Sequence, residues 1–106
     1  MNTIRLSELA VARSGDKGNH ANIGVVALNR AGYELLVREL SAERVAAYFQ
    51  GLGAVRVERF EMPHVDGLNF LLYDVLDGGA SRSLRTDTQG KLLGTALMEM
   101  ELPVSR

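Results

Sequence analysis

Several residue types that often reveal a protein's chemistry are scarce or missing in this chain. There are no cysteines, which excludes disulfides, zinc–thiolate sites and a cysteine nucleophile. Thirteen acidic side chains nearly balance twelve basic ones, so the chain lacks the positive charge of a general nucleic-acid binder. No run approaches the ~18 apolar residues of a membrane span, and no signal peptide is evident. These absences predict a cytoplasmic protein that binds neither nucleic acid nor membrane.

What the chain does contain is typical of one small globular domain. Its 106 residues, 46% hydrophobic and 24% charged, fit a single domain over residues 1–106. A chain of this size buries about two-thirds of its unfolded surface, so it needs no metal or disulfide to fold. The net charge near zero weakens repulsion between copies, and we expect a homo-oligomer.

The apolar periodicities predict an α+β fold. Between two strand-like segments, apolar residues recur at helical spacing from Tyr33 to Gln50, with Ser41 as the N-cap of the second half. A turn is predicted just before this helix, at residues 29–32. Strands are predicted from alternation in 4–13 and 55–61 and from a short β-branched run in 21–28. A last hairpin is predicted from the segments 81–87 and 92–102, which flank a glycine-containing turn.

Two segments have ambiguous patterns. Residues 68–76 would be apolar on both faces as a strand, whereas a helix places their leucines on one face, so we predict a helix ended by Gly78-Gly79. Residues 92–102 alternate like a last strand, and a helix beginning at Lys91 is the alternative. The resulting order is hairpin, helix, strand, helix, hairpin. It predicts a four- or five-stranded, mostly antiparallel sheet with two helices on one face.

The first candidate binding site is the glycine-containing stretch between the first two strands. Glycines at positions 15 and 18 permit positive φ, so that backbone N–H groups can converge on an anion or a carbonyl oxygen. Arg13 offers a planar fork for phosphate or carboxylate, and Lys17 a mobile charge. The alternative is an ordinary polar connection. The candidate ligand-binding residues here are Arg13, Ser14, Gly15, Asp16, Lys17, Gly18, Asn19 and Asn22.

A second glycine-rich, cationic stretch spans Gly78 to Arg85. Ser81 and Arg82 are its candidate ligand-binding residues, because a hydroxyl and a guanidinium follow a sharp backbone turn. On a regular strand Arg82 and Arg85 point to opposite faces, so we expect only one of them in any site. The alternative is that these arginines form surface ion pairs with nearby aspartates. We expect the two glycine-rich stretches to line one cationic hollow.

Other chemistry has thinner support in the sequence. His20 could transfer a proton near neutral pH. His64 and Asp66 could chelate a cation, but one histidine and one carboxylate do not complete a catalytic zinc set. No serine lies in a nucleophile elbow. The sequence therefore predicts no metal site and no cofactor, and it identifies no catalytic residue.

Both glycine-containing blocks resemble the ferredoxin-fold domain of the AtuA-like (acyclic terpene utilisation) family. The resemblance covers nearly the whole chain and implies a ferredoxin-like sandwich. The resemblance implies that the domain occurs in two forms, as a C-terminal part of a larger protein or as a separate small polypeptide. This chain resembles the second form. The residues that carry the resemblance are 13–19, 21–25, 68–70, 78–79, 81–85, Asp87, 89–91 and 93–94.

The resemblance also implies a function, because the family is associated with breakdown of branched acyl-CoA compounds, including acyclic terpenes. The leading interpretation is a small accessory subunit, or a domain that binds an acyl-CoA or carboxylate, acting with a larger AtuA-like catalytic protein. Arg13, Lys17 and Arg82 would bind the anion, and Asp16, Asn19 and Asn22 would hold the loop in shape. One alternative is an independent hydratase, lyase or isomerase with Asp16 or His20 as base, and another is a structural oligomerisation module.

Overall fold

The computed structural model describes residues 2–17, 20–50, 56–73 and 91–104. These residues form six strands and three α-helices, and two short 3₁₀ turns join them at Leu6–Glu8 and Pro63–Val65. The strands are β1 (Thr3–Arg5), β2 (Ala10–Lys17), β3 (His20–Ala27), β4 (Arg56–Met62), β5 (Gly67–Tyr73) and β6 (Glu101–Pro103). The α-helices are α1 (Arg30–Glu39), α2 (Ala42–Tyr48) and α3 (Lys91–Leu97).

The main sheet has four strands in the order β2-β3-β5-β4, and every neighbouring pair is antiparallel. Since β3 and β4 both run antiparallel to β5 between them, they are parallel to each other, and α1 and α2 connect them. This is the split βαβ unit of ferredoxin-like folds. The edge strand beside β3 is β2, which precedes it in the chain. A separate two-stranded sheet pairs β1 with β6.

One face of the main sheet carries the core. Alternate residues of β3 and β5 point to this face, where α1, α2 and α3 pack on the strands. None of the described helices has both the length and the apolar character needed to cross a bilayer. The fully buried side chains include Ile23, Val25, Leu36, Val45, Leu68, Phe70, Leu72 and Leu97.

Side-chain caps fix the starts of α1 and α2. The Asn29 Oδ1 accepts a hydrogen bond from the Gly32 N–H at 2.7 Å, and the Ser41 Oγ accepts one from the Arg44 N–H at 3.0 Å. The predicted Ser41 cap and the interrupted helix are confirmed. The turn predicted at residues 29–32 is wrong, because Asn29 is the N-cap of a helix that begins at Arg30.

The helix predicted over residues 68–76 is also wrong, since residues 67–73 form the central strand β5. Leu68, Phe70 and Leu72 are fully buried at a period of two, toward the helices. Leu71 is half-buried on the opposite face. This central strand has apolar residues on both faces, so its sequence lacks the alternation of a half-buried strand. Its apolar residues therefore also fit the spacing of one side of a helix.

The last predicted strand, 92–102, is mostly helical, as the alternative proposed. Gly94, Leu97 and Met100 are buried at intervals of three residues, a helical spacing, and only Glu101–Pro103 is a strand. The strand predicted over 4–13 is interrupted by the turn that buries Leu6. The strand predicted at 81–87 lies outside the described residues. The α+β, ferredoxin-like class is nevertheless confirmed, with three rather than two described α-helices against the sheet.

Candidate functional site

The first candidate stretch is mostly regular strand. Arg13 pairs with Gly24, and Gly15 pairs with Asn22, within the β2–β3 ladder. Gly15 has no positive φ, so it does not form the turn expected of it. The chain reverses after Lys17, and the expected loop residues Gly18 and Asn19 lie outside the described residues.

A shallow depression of about 320 Å³ lies where α3 meets the outer edge of β2. It is lined by Ala12, Arg13, Ser14, Gly94 and Thr95. Arg13 and Ser14 are neighbours in β2, so their side chains point to opposite faces of the sheet. Both can therefore line the depression only where it runs along the edge of β2. The site therefore combines a guanidinium and two hydroxyl groups from segments that are remote in the sequence.

The closeness of α3 to β2 depends on Gly94. Its backbone N–H donates a hydrogen bond to the Ser14 Oγ at 2.9 Å. A Cβ at position 94 would lie 3.0 Å from the Ser14 Oγ and 3.2 Å from the Ser14 backbone nitrogen, closer than such atoms normally approach. A side chain at this position would therefore crowd Ser14 where the helix crosses it, which favours glycine.

Arg13 differs from the other arginines around the sheet. Arg30 lies 3.1 Å from a carboxylate oxygen of Asp66, and Arg59 lies 2.9 Å from one of Glu61. Arg13 is exposed and makes no ion pair with any residue in the described ranges. Its guanidinium fork is thus available for a carboxylate or a phosphate.

Asn22 has a different position from the one expected. Its Nδ2 donates to the Asn69 Oδ1 at 3.3 Å, which joins the side chains of β3 and β5 on the sheet face away from the helices. It therefore links two central strands instead of shaping the connection after β2. No sequence pattern pointed to Asn69 as its partner, because the two residues are 47 positions apart.

The remaining candidates are only partly placed. Asp16 and Lys17 continue β2 and pair with Ala21 and His20. Ser81 and Arg82 lie outside the described residues, so the shared cationic hollow stays a prediction. The segment that carries them leads into α3, the helix that lines the depression.

A polar cluster at one end of the sheet was not predicted. The His20 ring contacts the Tyr73 ring edge-on at 5.1 Å between centroids, and Arg56 lies 3.6 Å above the Tyr73 ring. The Tyr73 hydroxyl donates to Glu58, and this hydrogen bond raises the pKa of Tyr73 above its ordinary value. These side chains come from three different strands, so only the sheet register brings them together.

The other histidine candidate has a structural explanation. Asp66 takes a left-handed conformation, with φ of 55°, at the turn after His64, and its carboxylate faces Arg30. Within the described ranges, no group of three or more possible metal ligands occurs. The His64–Asp66 segment therefore acts as a turn that the Arg30 ion pair fastens to α1.

The architecture is that of a ferredoxin-like α+β domain, and the edge depression beside Arg13 is its candidate binding site. The family model described as the AtuA ferredoxin-like domain matches residues 4–103, and the chain belongs to this family. No curated protein and no solved structure matches the chain.

Proposed function

We propose that this chain is a binding domain for a small acyl-type anion, and that it acts with a larger catalytic protein in the breakdown of branched or terpenoid acyl-CoA compounds. The observation that carries the proposal is Arg13, an exposed guanidinium without an ion pair in the described ranges, at the rim of a preformed depression. A guanidinium of this kind suits the paired oxygens of a carboxylate. The acyl-CoA class and the larger partner rest on the family resemblance.

The size of the depression limits what it can hold. Its volume of about 320 Å³ is near the lower end of the range for ligand sites, which begins around 300 Å³. A short acyl group with its carboxylate or thioester carbonyl fits this volume, whereas a whole coenzyme A does not. The rest of an acyl-CoA would extend beyond the depression, and Lys17 and Arg82 remain the candidate phosphate contacts.

Each lining group has a role in this proposal. Arg13 binds the oxygen atoms of the anion, and the exposed Thr95 hydroxyl supplies a further hydrogen bond. The contact between Gly94 and Ser14 holds α3 against β2, so the two walls keep a constant separation. The walls therefore do not need to be assembled when the ligand arrives, which reduces the entropic cost of binding.

Calorimetric titration with isovaleryl-CoA, isovalerate and free coenzyme A tests the proposal. We expect wild type to bind isovaleryl-CoA and isovalerate, and Arg13→Ala to weaken both by about tenfold or more, since a charged hydrogen bond contributes ~1.5–3 kcal/mol. Arg38→Ala is the matched control, because Arg38 is an exposed arginine on α1. Absence of binding to wild type, or equal weakening by both substitutions, would contradict the proposal.

A further inference from the structure

The main sheet has a second face, away from α1, α2 and α3, that we call the open face. It consists of alternate residues of the four strands, including His20 to Val26 on β3 and Gly67 to Tyr73 on β5. No helix in the described ranges packs on it. Its central floor is the hydrogen-bonded pair of Asn22 and Asn69.

Large apolar side chains are exposed at one end of the open face. Val11, Val26 and Phe60 are 56%, 38% and 48% exposed. Leu28 and Val65 are 62% and 46% exposed and lie just beyond β3 and β5 at the same end. These five are grouped rather than scattered, and a contiguous exposed apolar patch marks an interaction surface.

The charges on the open face lie at its sides. Except for His20, the two central strands contain no acidic or basic residue. The other charged side chains described on the open face are on the outer strands, where Arg13 lies on β2 and Arg56 and Glu58 lie on β4. A centre without charge and a charged rim are typical of protein–protein interfaces.

We propose that a second copy of this chain packs on the open face, related by a two-fold axis that runs parallel to the strands between β3 and β5. Such an interface uses the same surface of both copies. This axis exchanges the two sides of the sheet, so β3 of one copy lies over β5 of the other. It leaves each residue's position along the strand direction unchanged. Residues that pair within one sheet then also meet across the interface, about 10 Å apart between the sheets.

This symmetry places small residues opposite larger ones. Gly24 is level with Asn69, and Val26 is level with Gly67, in the β3–β5 register. Across the interface, Gly24 of one copy therefore faces Asn69 of the other, and Val26 faces the Met62 and Val26 side chains that cover Gly67. A Cβ at Gly24 would be 3.8 Å from its nearest neighbour, which leaves room above it in the single chain. Gly24 thus leaves space for a side chain of the second copy.

The area of the open face is of the order that a stable dimer contact needs. The strands β2 and β3 have 8 residues each, which corresponds to about 26 Å of length, and four strands span ~19 Å. The projected area is then roughly 500 Å², and the accessible area of a surface covered with side chains is larger. Stable interfaces bury about 800 Å² per partner.

Sedimentation velocity and light scattering at protein concentrations up to about 100 μM test the proposal, since interfaces of standard size have dissociation constants of micromolar or below. We expect a dimeric wild type, and a monomer for both Val26→Lys and Phe60→Lys, because each places an additional charge in the contact between the two sheets. Ala47→Lys, on the exposed side of α2, is the control and should remain dimeric. Circular dichroism verifies that each variant is folded. A monomeric wild type, or dimers that persist in both open-face variants, would overturn the proposal.

A charge-exchange experiment tests the symmetry. Val26 of one copy lies close to Val26 of the other only if the axis runs parallel to the strands. A perpendicular axis would separate them by about 20 Å, the length of six strand residues. Val26→Lys and Val26→Glu should each be monomeric, and mixing them should restore a heterodimer. If the mixture stays monomeric, the proposed axis is wrong.

Discussion

Substitution of Gly94 by alanine should loosen the contact that forms the candidate site. The added Cβ would lie 3.0 Å from the Ser14 Oγ and 3.2 Å from the Ser14 backbone nitrogen, so α3 and β2 must separate by a few tenths of an ångström. Overpacking of this kind costs ~1–3 kcal/mol, and the helix propensity of alanine returns up to about 1 kcal/mol. We expect a net loss of roughly 1–2 kcal/mol, or a Tm lower by about 5–10 °C.

Urea denaturation of wild type, Gly94→Ala and Thr95→Ala measures this effect. Thr95 is exposed on the same helix, so its replacement by alanine should leave stability equal or slightly higher. Combining Gly94→Ala with Ser14→Ala removes the nearest clashing atom, and the double variant should lose less than the sum of the single losses. A Gly94→Ala variant at least as stable as wild type would refute the close packing of α3 on Ser14.

Three further predictions concern the fold and the polar cluster. Arg59→Ala should lower the free energy of unfolding, measured by chemical denaturation, by about 2 kcal/mol, because the Arg59 guanidinium donates to two carbonyl oxygens at the end of α1, at 3.0 and 3.1 Å. A decrease below ~0.5 kcal/mol would contradict those hydrogen bonds. Ser41→Ala should lower the free energy of unfolding by ~1 kcal/mol, because it removes the N-cap of α2. Ser41→Asp should keep most of the wild-type stability, since aspartate also caps helices. In alkaline absorbance titrations compared with Tyr73→Phe, Tyr73 should ionise above its ordinary pKa, and Glu58→Gln should lower that pKa. Because the folded pKa is raised, the stabilisation is present below the unfolded pKa and is lost as pH rises through the folded pKa; no change in Glu58→Gln would contradict the assigned cause.

The parts of the fold that the sequence predicts well are those with one buried and one solvated face. The strand β4 alternates charged and apolar residues, and the helices before it show a clear period with Ser41 as a cap. By contrast, β5 is apolar on both faces, so its periodicity did not separate strand from helix. The alternation from Ala96 to Leu102 favours a strand, whereas the residues just before it, Lys91–Leu97, form the helix α3. The contact of α3 with β2 depends on Gly94 and leaves no apolar pattern in the sequence.

The sequence predicts only the β2 residues of the candidate site and not those of α3, for a related reason. Arg13 and Ser14 stood out because charge and glycine occur together around them. Gly94 and Thr95 did not, since the hydrogen bond that brings α3 to Ser14 joins residues 80 positions apart. Leu93-Gly94 was among the residues of the family resemblance, and that was the one available signal. Pairings such as that of Asn22 with Asn69 follow from strand register, which single-strand patterns do not specify.

The most direct test of the proposed binding site is an amide NMR titration of the 15N-labelled chain with isovaleryl-CoA. We expect the largest shift changes at Arg13, Ser14, Gly94 and Thr95, and we expect them to be lost in Arg13→Ala but retained in Arg38→Ala. Saturable shifts confined to residues away from the β2–α3 edge, or no shifts at millimolar ligand, would contradict it.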